Sequence, residues 1–335
     1  MGLPCPLSPR HGVAVPTRPF LLLPFNPLSL TLASIVSIPD ERGPFVEPPA
    51  DTQATFGQMP AIAPAAAIDP NNPPWGIAAG ILTWVGSVVL LIGIGILFII
   101  PYIASNFKGR GKEELTQFLT TDKTAIFLQI LSALPAHLLT FVIVWAVVTH
   151  FGKRPFWKSI GWSWSKGFGF WKSAGLAVGL LLLGMGITKI VGGGETSIDQ
   201  ISHSSAASRY TLAILAGLTA PLIEELVYRG VLYSALQKVA GMLWAVIIVS
   251  VLFALVHVLE YYNNVGVIMV ISLLSVCLTL LRAYTGRLLP CFIVHLVFNG
   301  IQAVIIIIEP FLPQSAPEQK APVVAMLWRT VRHLF

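Results

Sequence analysis

The stretch GIAAGILTWVGSVVLLIGIGILFII, residues 76–100, contains no charged side chain. A helix needs about 20 mostly apolar residues to cross the hydrocarbon core of a bilayer. The stretch therefore predicts a membrane-spanning helix, and further apolar runs of similar or slightly shorter length follow it. Together the six runs cover 76–104, 125–149, 173–191, 241–259, 264–281 and 288–308.

The composition of the whole chain agrees with this pattern. Its 335 residues are 55% hydrophobic and 11% charged, and the mean hydropathy is +0.77, which is far more apolar than a soluble domain. The runs do not alternate in hydrophobicity as barrel strands would, and only helices or closed barrels satisfy their backbone groups in lipid. A further apolar segment, 208–238, is expected to form one bent helix or two short ones. The fold class is therefore all-α, a polytopic transmembrane bundle of about 7–8 helical elements.

Charge and hydropathy point to an integral, multi-pass membrane protein, in the plasma or inner membrane if its source is bacterial. The net charge of +6 does not indicate nucleic acid binding, because the basic residues lie mostly in short stretches between apolar runs. Loop 105–124 holds four Lys/Arg and loop 150–172 holds five, yet they flank one span. The positive-inside rule thus leaves the orientation open. We interpret the aromatic and basic run 151–172 as a segment that lies along the membrane interface.

Residues 1–75 form a tail that holds 16 of the 25 prolines. Proline at that density disfavours helices and a packed core, so we expect a disordered or processed segment. Within it, 19–36 faintly resembles the apolar core of a signal peptide. The rest divides into N-terminal transmembrane helices with the interfacial loop (76–207), a core that carries the intramembrane polar residues (208–308) and a C-terminal tail (309–335). The three cysteines form neither a disulfide framework nor a C-x-x-C metal pair.

A few polar side chains interrupt the apolar sequence after residue 208. Such groups are costly inside a membrane, and they usually face the bundle interior and pair with something. They are Glu224, Glu225 and Arg229 in EELVYR, His257 in FALVH, and His295 with Asn299 in HLVFN. The intervals between the three motifs suffice for about one membrane helix plus a turn, so we expect them on different helices.

The two adjacent glutamates need not do the same job. Residues four apart share a helical face, so Glu225 and Arg229 can form an ion pair. Glu224 is rotated by about 100° from Glu225 and stays available as a base or a ligand. Proline tolerates its missing N–H at a helix start, so we expect Pro221 to place both glutamates in a first helical turn.

One carboxylate and two imidazoles suit two chemistries. Glu224, His257 and His295 can bind a divalent metal such as zinc with one position open to water. Alternatively, Glu and His activate a water directly while donors from His and Asn side chains stabilise an oxyanion. Both lead to hydrolysis of an acyl bond without a Ser or Cys nucleophile. Phe253, four residues before His257, is expected to pack beside and support its imidazole.

Plainer interpretations apply to each polar residue taken alone. Glu225 with Arg229 would indicate a buried structural ion pair, and a lone intramembrane His or Asn often makes only an interhelical hydrogen bond. We assign His137, in the second apolar run, to packing or hydrogen bonding. We assign Arg282, near the end of the fifth run, to snorkelling. The zinc motifs H-E-x-x-H and H-x-x-E-H are absent from the sequence.

The three motifs together resemble a known family. EELVYR (224–229) fits E-E-x-x-x-R, FALVH (253–257) fits F-x-x-x-H and HLVFN (295–299) fits H-x-x-x-N/D. In this order and on successive hydrophobic segments, they resemble the CAAX-protease and bacteriocin-processing (Abi/CPBP) family of intramembrane endopeptidases. The resemblance covers roughly 208–305 and implies that 208–308 is the catalytic core.

The resemblance also implies a role for each motif residue. Glu224 and His257 would activate the attacking water, and Glu225 and Arg229 would be structural. The pair His295 and Asn299 would stabilise the oxyanion or complete a metal site. The family is usually described as metalloproteases, with a metal-independent glutamate mechanism as the alternative, so Zn2+ is an open expectation.

We therefore expect an integral-membrane endopeptidase that hydrolyses peptide bonds within or at the membrane, with or without help from a metal. Its expected partners are a peptide or protein substrate, lipidated or membrane-embedded, and the lipid bilayer, with no nucleic acid. One alternative is a non-catalytic family member that acts as an immunity factor or membrane scaffold. A more distant alternative is a proton-coupled transporter that uses Glu and His as a relay.

Overall fold

The computed structural model describes residues 69–109, 111–192 and 196–312. The predictions for the proline-rich tail up to residue 68, for its apolar stretch 19–36 and for the C-terminal tail beyond 312 lie outside these residues. Within them the chain is helical, apart from turns and one isolated β-bridge between Ser165 and Phe168. The all-α prediction is confirmed.

The helices follow one another along the chain with short connections. In order they are α1 (Ile77–Asn106), α2 (Lys112–Thr121), α3 (Lys123–Leu131), α4 (Ala133–Thr149), α5 (Phe156–Ser159), α6 (Phe170–Val191), α7 (Ser197–Ser204) and α8 (Ala206–Ile214), then the first π-helical segment (Leu215–Thr219), α9 (Ala220–Glu224), the second π-helical segment (Glu225–Leu232), α10 (Tyr233–Tyr261), α11 (Val265–Thr285), α12 (Leu289–Ile308) and a 3₁₀ turn (Glu309–Phe311).

Six helical stretches in the described part of the chain are long and apolar enough to cross a membrane. They are Ile77–Asn106, Lys123–Thr149, Phe170–Val191, Ala206–Val258, Val265–Thr285 and Leu289–Phe311. Large apolar side chains point outward from them, for example Leu82 and Val89 on α1, as lipid-facing residues do. The protein is thus an integral, multi-pass membrane protein, as predicted.

Small residues let the helices around the polar motifs approach one another closely. A Cβ atom at Gly80 of α1 would lie 3.1 Å from the side chain of Ala235 in α10. One core cluster joins α1, α4, the second π-helical segment and α10, and another joins α6, α11 and α12. The polar motifs therefore lie on helices that pack directly together.

The structure corrects the prediction that Pro221 begins a new helix. The helical backbone runs on from α8 through Pro221, so Glu224 and Glu225 lie inside a long helical stretch rather than in a first turn. Proline cannot donate to the carbonyl four residues earlier, that of Gly217, and the wider turn of the first π-helical segment accommodates this loss. The backbone leaves the helical conformation only later, at Gly241 with φ 79° and ψ 171°.

The prediction that Arg282 snorkels is wrong, because its side chain is fully buried. Its Nε donates to the carbonyl of Arg229 in the second π-helical segment at 3.2 Å. Its Nη1 donates to Asn71 Oδ1 at 2.6 Å and its Nη2 to the carbonyl of Pro70 at 2.9 Å. Arg282 thus ties the chain that leads into α1 to the back of the EELVYR motif.

Candidate active site

The buried Glu225 carboxylate joins two of the three sequence motifs. Its Oε1 accepts a hydrogen bond from Arg229 Nη1 at 3.0 Å, and both side chains are fully buried. The same oxygen accepts from His295 Nδ1 on α12 at 2.9 Å. The predicted Glu225–Arg229 ion pair is confirmed. His295 lies 70 residues after Glu225 in the chain, and their contact was not predicted.

Arg229 is held by more than its carboxylate. Its Nη2 donates to Ser275 Oγ at 2.9 Å and to the Ser275 carbonyl at 3.2 Å, and its Nε donates to Thr279 Oγ1 at 3.3 Å. The guanidinium carbon lies 4.5 Å from the ring centroid of Phe253, in the range of a cation–π contact. The guanidinium therefore connects the EELVYR motif to α11 and to the FALVH motif.

Glu224 lies on the neighbouring face, as the helical spacing predicted. Its side chain is 26% exposed, whereas that of Glu225 is 0% exposed. Glu224 Oε2 lies 3.7 Å from His295 Nε2, which is too long for a direct hydrogen bond. His295 therefore stands between the two glutamates, with Nδ1 bonded to Glu225 and Nε2 directed toward Glu224.

His257 has a fixed ring orientation. Its Nδ1 lies 2.8 Å from the carbonyl oxygen of Phe253, and because a carbonyl only accepts, Nδ1 carries the proton. The ring stacks on Phe253 with centroids 4.8 Å apart, which confirms the predicted packing. In the neutral form Nε2 is then the acceptor nitrogen, and it is the one that is not engaged by the helix.

Asn299 is bound to the first π-helical segment. Its Nδ2 donates to the carbonyl of Ala216 at 3.0 Å. A π-helical turn shifts the backbone out of the regular i to i−4 register, and a buried carbonyl released in this way needs an external donor. The carboxamide keeps a second N–H and an oxygen for other partners.

One cavity of about 780 Å³ collects the predicted site residues. Glu224, His257, His295 and Asn299 all line it, together with Phe253. The remaining lining is mostly aliphatic and comes from helices at both ends of the described chain, including Val88, Leu91 and Ile92 of α1. The structure thus brings the three motifs to one mostly apolar cavity, with Glu225 and Arg229 behind its wall.

Several further titratable residues of this wall, His137 and Glu260 among them, were not predicted to belong to the site. His137 of α4 lines the cavity and lies within electrostatic range of Glu224. Its Nδ1 lies 2.9 Å from Thr219 Oγ1, whose own hydrogen goes to the carbonyl of Leu215 at 3.2 Å. Glu260 lines the cavity as well. A lone His in an apolar run was the only sequence signal for His137, and it fitted simple packing equally well.

The metal hypothesis requires the candidate ligands Glu224, His257 and His295 to lie close enough together to bind one ion. Among the described residues, no three His, Cys, Asp or Glu side chains are arranged to hold a metal ion. Glu224 Oε2 and His295 Nε2 are separated by 3.7 Å, and His295 Nδ1 is already bonded to Glu225. The three side chains share a cavity but do not form a ligand set in this arrangement.

Comparison with known proteins gives one match. Residues 206–301 match the family described as Rce1-like, type II CAAX prenyl endopeptidase Rce1-like. The matched region contains all three motifs, so the resemblance stated from those motifs is confirmed. No curated protein and no solved structure matches the chain. The family match supports a membrane protease function of the CAAX type for the part of the chain that holds the cavity.

Proposed function

From the Rce1-like match over residues 206–301, we propose that this protein is an integral-membrane endopeptidase that cleaves peptides by direct attack of a water. The observation that carries the proposal is the convergence of Glu224, His257, His295 and Asn299 on one cavity. These side chains supply a base, two imidazoles and an amide donor, which together suffice for hydrolysis of an amide bond.

The gap between Glu224 and His295 supports a position for the attacking water. Glu224 Oε2 and His295 Nε2 are 3.7 Å apart, and a water about 2.8 Å from each atom completes a triangle with them. Glu224 is the carboxylate without a bonded cation, because Arg229 bonds to Glu225 instead. Glu224 is therefore the general base, and His257 Nε2, an acceptor in the neutral ring, helps to orient the water.

The HLVFN motif supplies a proton acceptor, His295, and a hydrogen-bond donor to the oxyanion, Asn299. The Glu225 carboxylate fixes Nδ1 of His295 as a protonated nitrogen and stabilises the imidazolium when Nε2 takes up a proton, as a carboxylate does in a catalytic triad. The second N–H of Asn299 donates to the oxygen that becomes negative in the tetrahedral intermediate.

The reaction balances without a covalent enzyme intermediate. Glu224 takes one proton from the water while the water oxygen bonds to the carbonyl carbon of the substrate. The tetrahedral intermediate then collapses, the C–N bond breaks, and the leaving nitrogen takes the proton from Glu224. The second proton of the water stays on the hydroxyl of the intermediate and passes to His295 Nε2, which faces Glu224, and from there to solvent. The products are a new carboxylate and a new amine, and Glu224 returns to its ionised form.

The walls of the cavity favour an apolar or lipidated substrate. A volume of about 780 Å³ lies in the range of sites that bind drug-sized ligands, and the lining is mostly aliphatic. A prenylated C-terminal peptide combines an apolar group with a scissile amide and fits this chemistry. We therefore propose prenylated CAAX peptides as the substrate class.

The test compares cleavage of prenylated and non-prenylated fluorogenic CAAX peptides by the purified full-length protein in detergent. We expect Glu224→Gln and His257→Ala to lower kcat/KM by at least 100-fold, since general acid–base catalysis contributes about 10²–10⁴-fold. Glu114→Gln on α2 and His150→Ala in an exposed turn are matched controls and should leave kcat/KM unchanged.

Three results would contradict the proposal. Equal cleavage by the wild type and by both site variants would mean that the cavity is not the active site. If no peptide is cleaved but a cellular effect of the protein survives Glu224→Gln, the non-catalytic scaffold or immunity role replaces the protease. Substrate flux coupled to a pH gradient in proteoliposomes would instead favour the transporter.

Zinc assistance stays a prediction that a separate measurement decides. Elemental analysis of the purified protein should find less than one zinc per chain if the water is activated by Glu224 and the histidines alone. Stoichiometric zinc that is lost in His257→Ala and His295→Ala would require a ligand set formed by a rearrangement of these side chains.

A further inference from the structure

The loop segment 151–172, which connects α4 to α6 and includes the first three residues of α6, carries a strong excess of positive charge. It contains five Lys/Arg and no Asp or Glu. All five are exposed, and none forms an ion pair with another described residue. They are Lys153, Arg154, Lys158, Lys166 and Lys172. One of them, Lys172, uses part of its donor capacity on the carbonyl of Gly167 at 2.6 Å.

The same loop exposes large aromatic side chains. Trp157 is 48% exposed, Trp164 is 41% exposed and Trp171 is 83% exposed. Phe151 and Phe170 are exposed as well, at 77% and 46%. Aromatic rings with a cationic neighbourhood are typical of the headgroup level of a bilayer, where one side is apolar and the other wet.

The protein core holds this loop in place. Ile160 is fully buried, and the backbone N–H of Leu288 donates to the carbonyl of Gly161 at 2.9 Å. Gly161 has φ +72°, and a Cβ atom there would lie 3.0 Å from the carbonyl oxygen of Gly286, so only glycine fits. The Trp162 ring lies 5.1 Å from that of Phe292. The cations are therefore presented on a fixed surface.

A neighbouring turn adds to the charge of this surface. Gly286 contacts Gly161, and the next residue, Arg287, is exposed. Residues 69–75 lie against this turn through Pro70 and Asn71. They contain one acid, Asp69, whose carboxylate accepts from the backbone N–H of Asn71 at 2.9 Å. The surface therefore combines six exposed cations with aromatic rings that can enter the headgroup layer.

We propose that residues 151–172 and Arg287 form a binding surface for the headgroups of anionic phospholipids. Each Lys or Arg near a negatively charged leaflet favours binding by about 1 kcal/mol, which is a factor of about five in affinity. The exposed rings add contact with the acyl boundary. The ligand is a lipid in the bilayer, because free phosphate offers nothing for the rings to contact.

The loop that follows α1 serves as an internal comparison. Residues 105–124 hold four Lys/Arg, a similar number, but also the acids Glu113, Glu114 and Asp122. Its α2 exposes no Trp. Both loops thus contain basic residues, but of the two only 151–172 combines basic residues without neighbouring acids in its sequence and exposed tryptophans.

The experiment measures quenching of tryptophan fluorescence by brominated lipids in the full-length protein. Brominated phosphatidylglycerol is compared with brominated phosphatidylcholine, and relative binding constants are derived from the quenching. The variant Lys153→Gln/Arg154→Gln/Lys158→Gln removes three loop cations, and Lys108→Gln/Lys112→Gln/Lys123→Gln is the matched control. Trp171→Phe localises the signal, and circular dichroism checks the fold of each variant.

We expect the wild type and the control to bind the anionic lipid more tightly than the zwitterionic one. The loop variant should lose on the order of tenfold or more of this preference, Trp171→Phe should lower the lipid-specific quenching, and added salt should weaken the preference. No preference in the wild type, an equal loss in the control, an unchanged preference in the loop variant, or displacement of the lipid by inorganic phosphate would each overturn the proposal. None of these outcomes depends on peptidase activity.

Discussion

Replacing Arg229 by methionine tests how the buried charges of the site are balanced. Arg229→Met removes the bonds to Glu225 at 3.0 Å, Ser275 Oγ at 2.9 Å and Thr279 at 3.3 Å. It leaves Glu225, which is 0% exposed, without its cation. Breaking a buried ion pair by removal of one partner costs about 3–5 kcal/mol, so we expect the free energy of unfolding to fall by about that amount.

A double-mutant cycle separates the ion pair from the loss of packing. Glu225→Gln keeps the shape of the side chain and removes its charge, so the double variant Glu225→Gln/Arg229→Met contains neither unpaired ion. We expect the double variant to be more stable than the sum of the two single effects predicts, by about 1–3 kcal/mol. His295 Nδ1 should keep an acceptor in the carboxamide oxygen of residue 225.

The assay is unfolding of the purified protein in detergent, followed by far-UV circular dichroism and tryptophan fluorescence. Lys112→Met on the exposed α2 is the control for loss of a cation and should change stability by less than about 0.5 kcal/mol. Additive effects in the cycle, or an Arg229→Met variant as stable as the control, would refute the buried ion pair as the reason why Glu225 tolerates burial.

Three further predictions concern Asn299, the contact of His137 with Thr219, and Arg282. Asn299→Ala removes the donor to the first π-helical segment and the donor to the oxyanion, so kcat should fall by about 10²–10³-fold. Asn299→Asp should not restore kcat, and an unchanged kcat in Asn299→Ala would exclude the oxyanion role. His137→Phe and Thr219→Val each break the same hydrogen bond, so a double-mutant cycle on unfolding should give a coupling of about 0.5–1.5 kcal/mol, and strict additivity would contradict that contact. Arg282→Met should lower the melting temperature strongly because its buried partners lose their donors, whereas a snorkelling arginine would leave it nearly unchanged.

The helices themselves follow from the sequence. Runs such as 76–100 have no charged side chain, and in lipid a chain of that kind must satisfy its backbone within a helix. Local spacing also sufficed for the ion pair of Glu225 with Arg229 and for the packing of Phe253 on His257, because both pairs lie four residues apart. These features need no knowledge of how the helices pack.

Two local interpretations were wrong, one at an irregular helix and one at a contact between distant segments. Pro221 indicated a helix start, but a π-helical segment absorbs it and the helix continues. Arg282 looked like a residue that reaches for the membrane surface, yet its partner Pro70 lies 212 residues away. A contact of that kind depends on the packing of distant segments and has no local pattern.

The chain alone determined which residue types are available for chemistry, and the tertiary structure decided how they are shared. From EELVYR, the two glutamates differ only by a rotation of about 100°. In the structure Glu225 accepts hydrogen bonds from both Arg229 and His295. Glu224 lines the cavity, with its Oε2 3.7 Å from Nε2 of the same histidine. It also adds His137 to the cavity wall from a helix outside the matched region. Helical periodicity fixes only the direction in which a side chain points. Its partners depend on which helix faces it, so only the tertiary structure decides them.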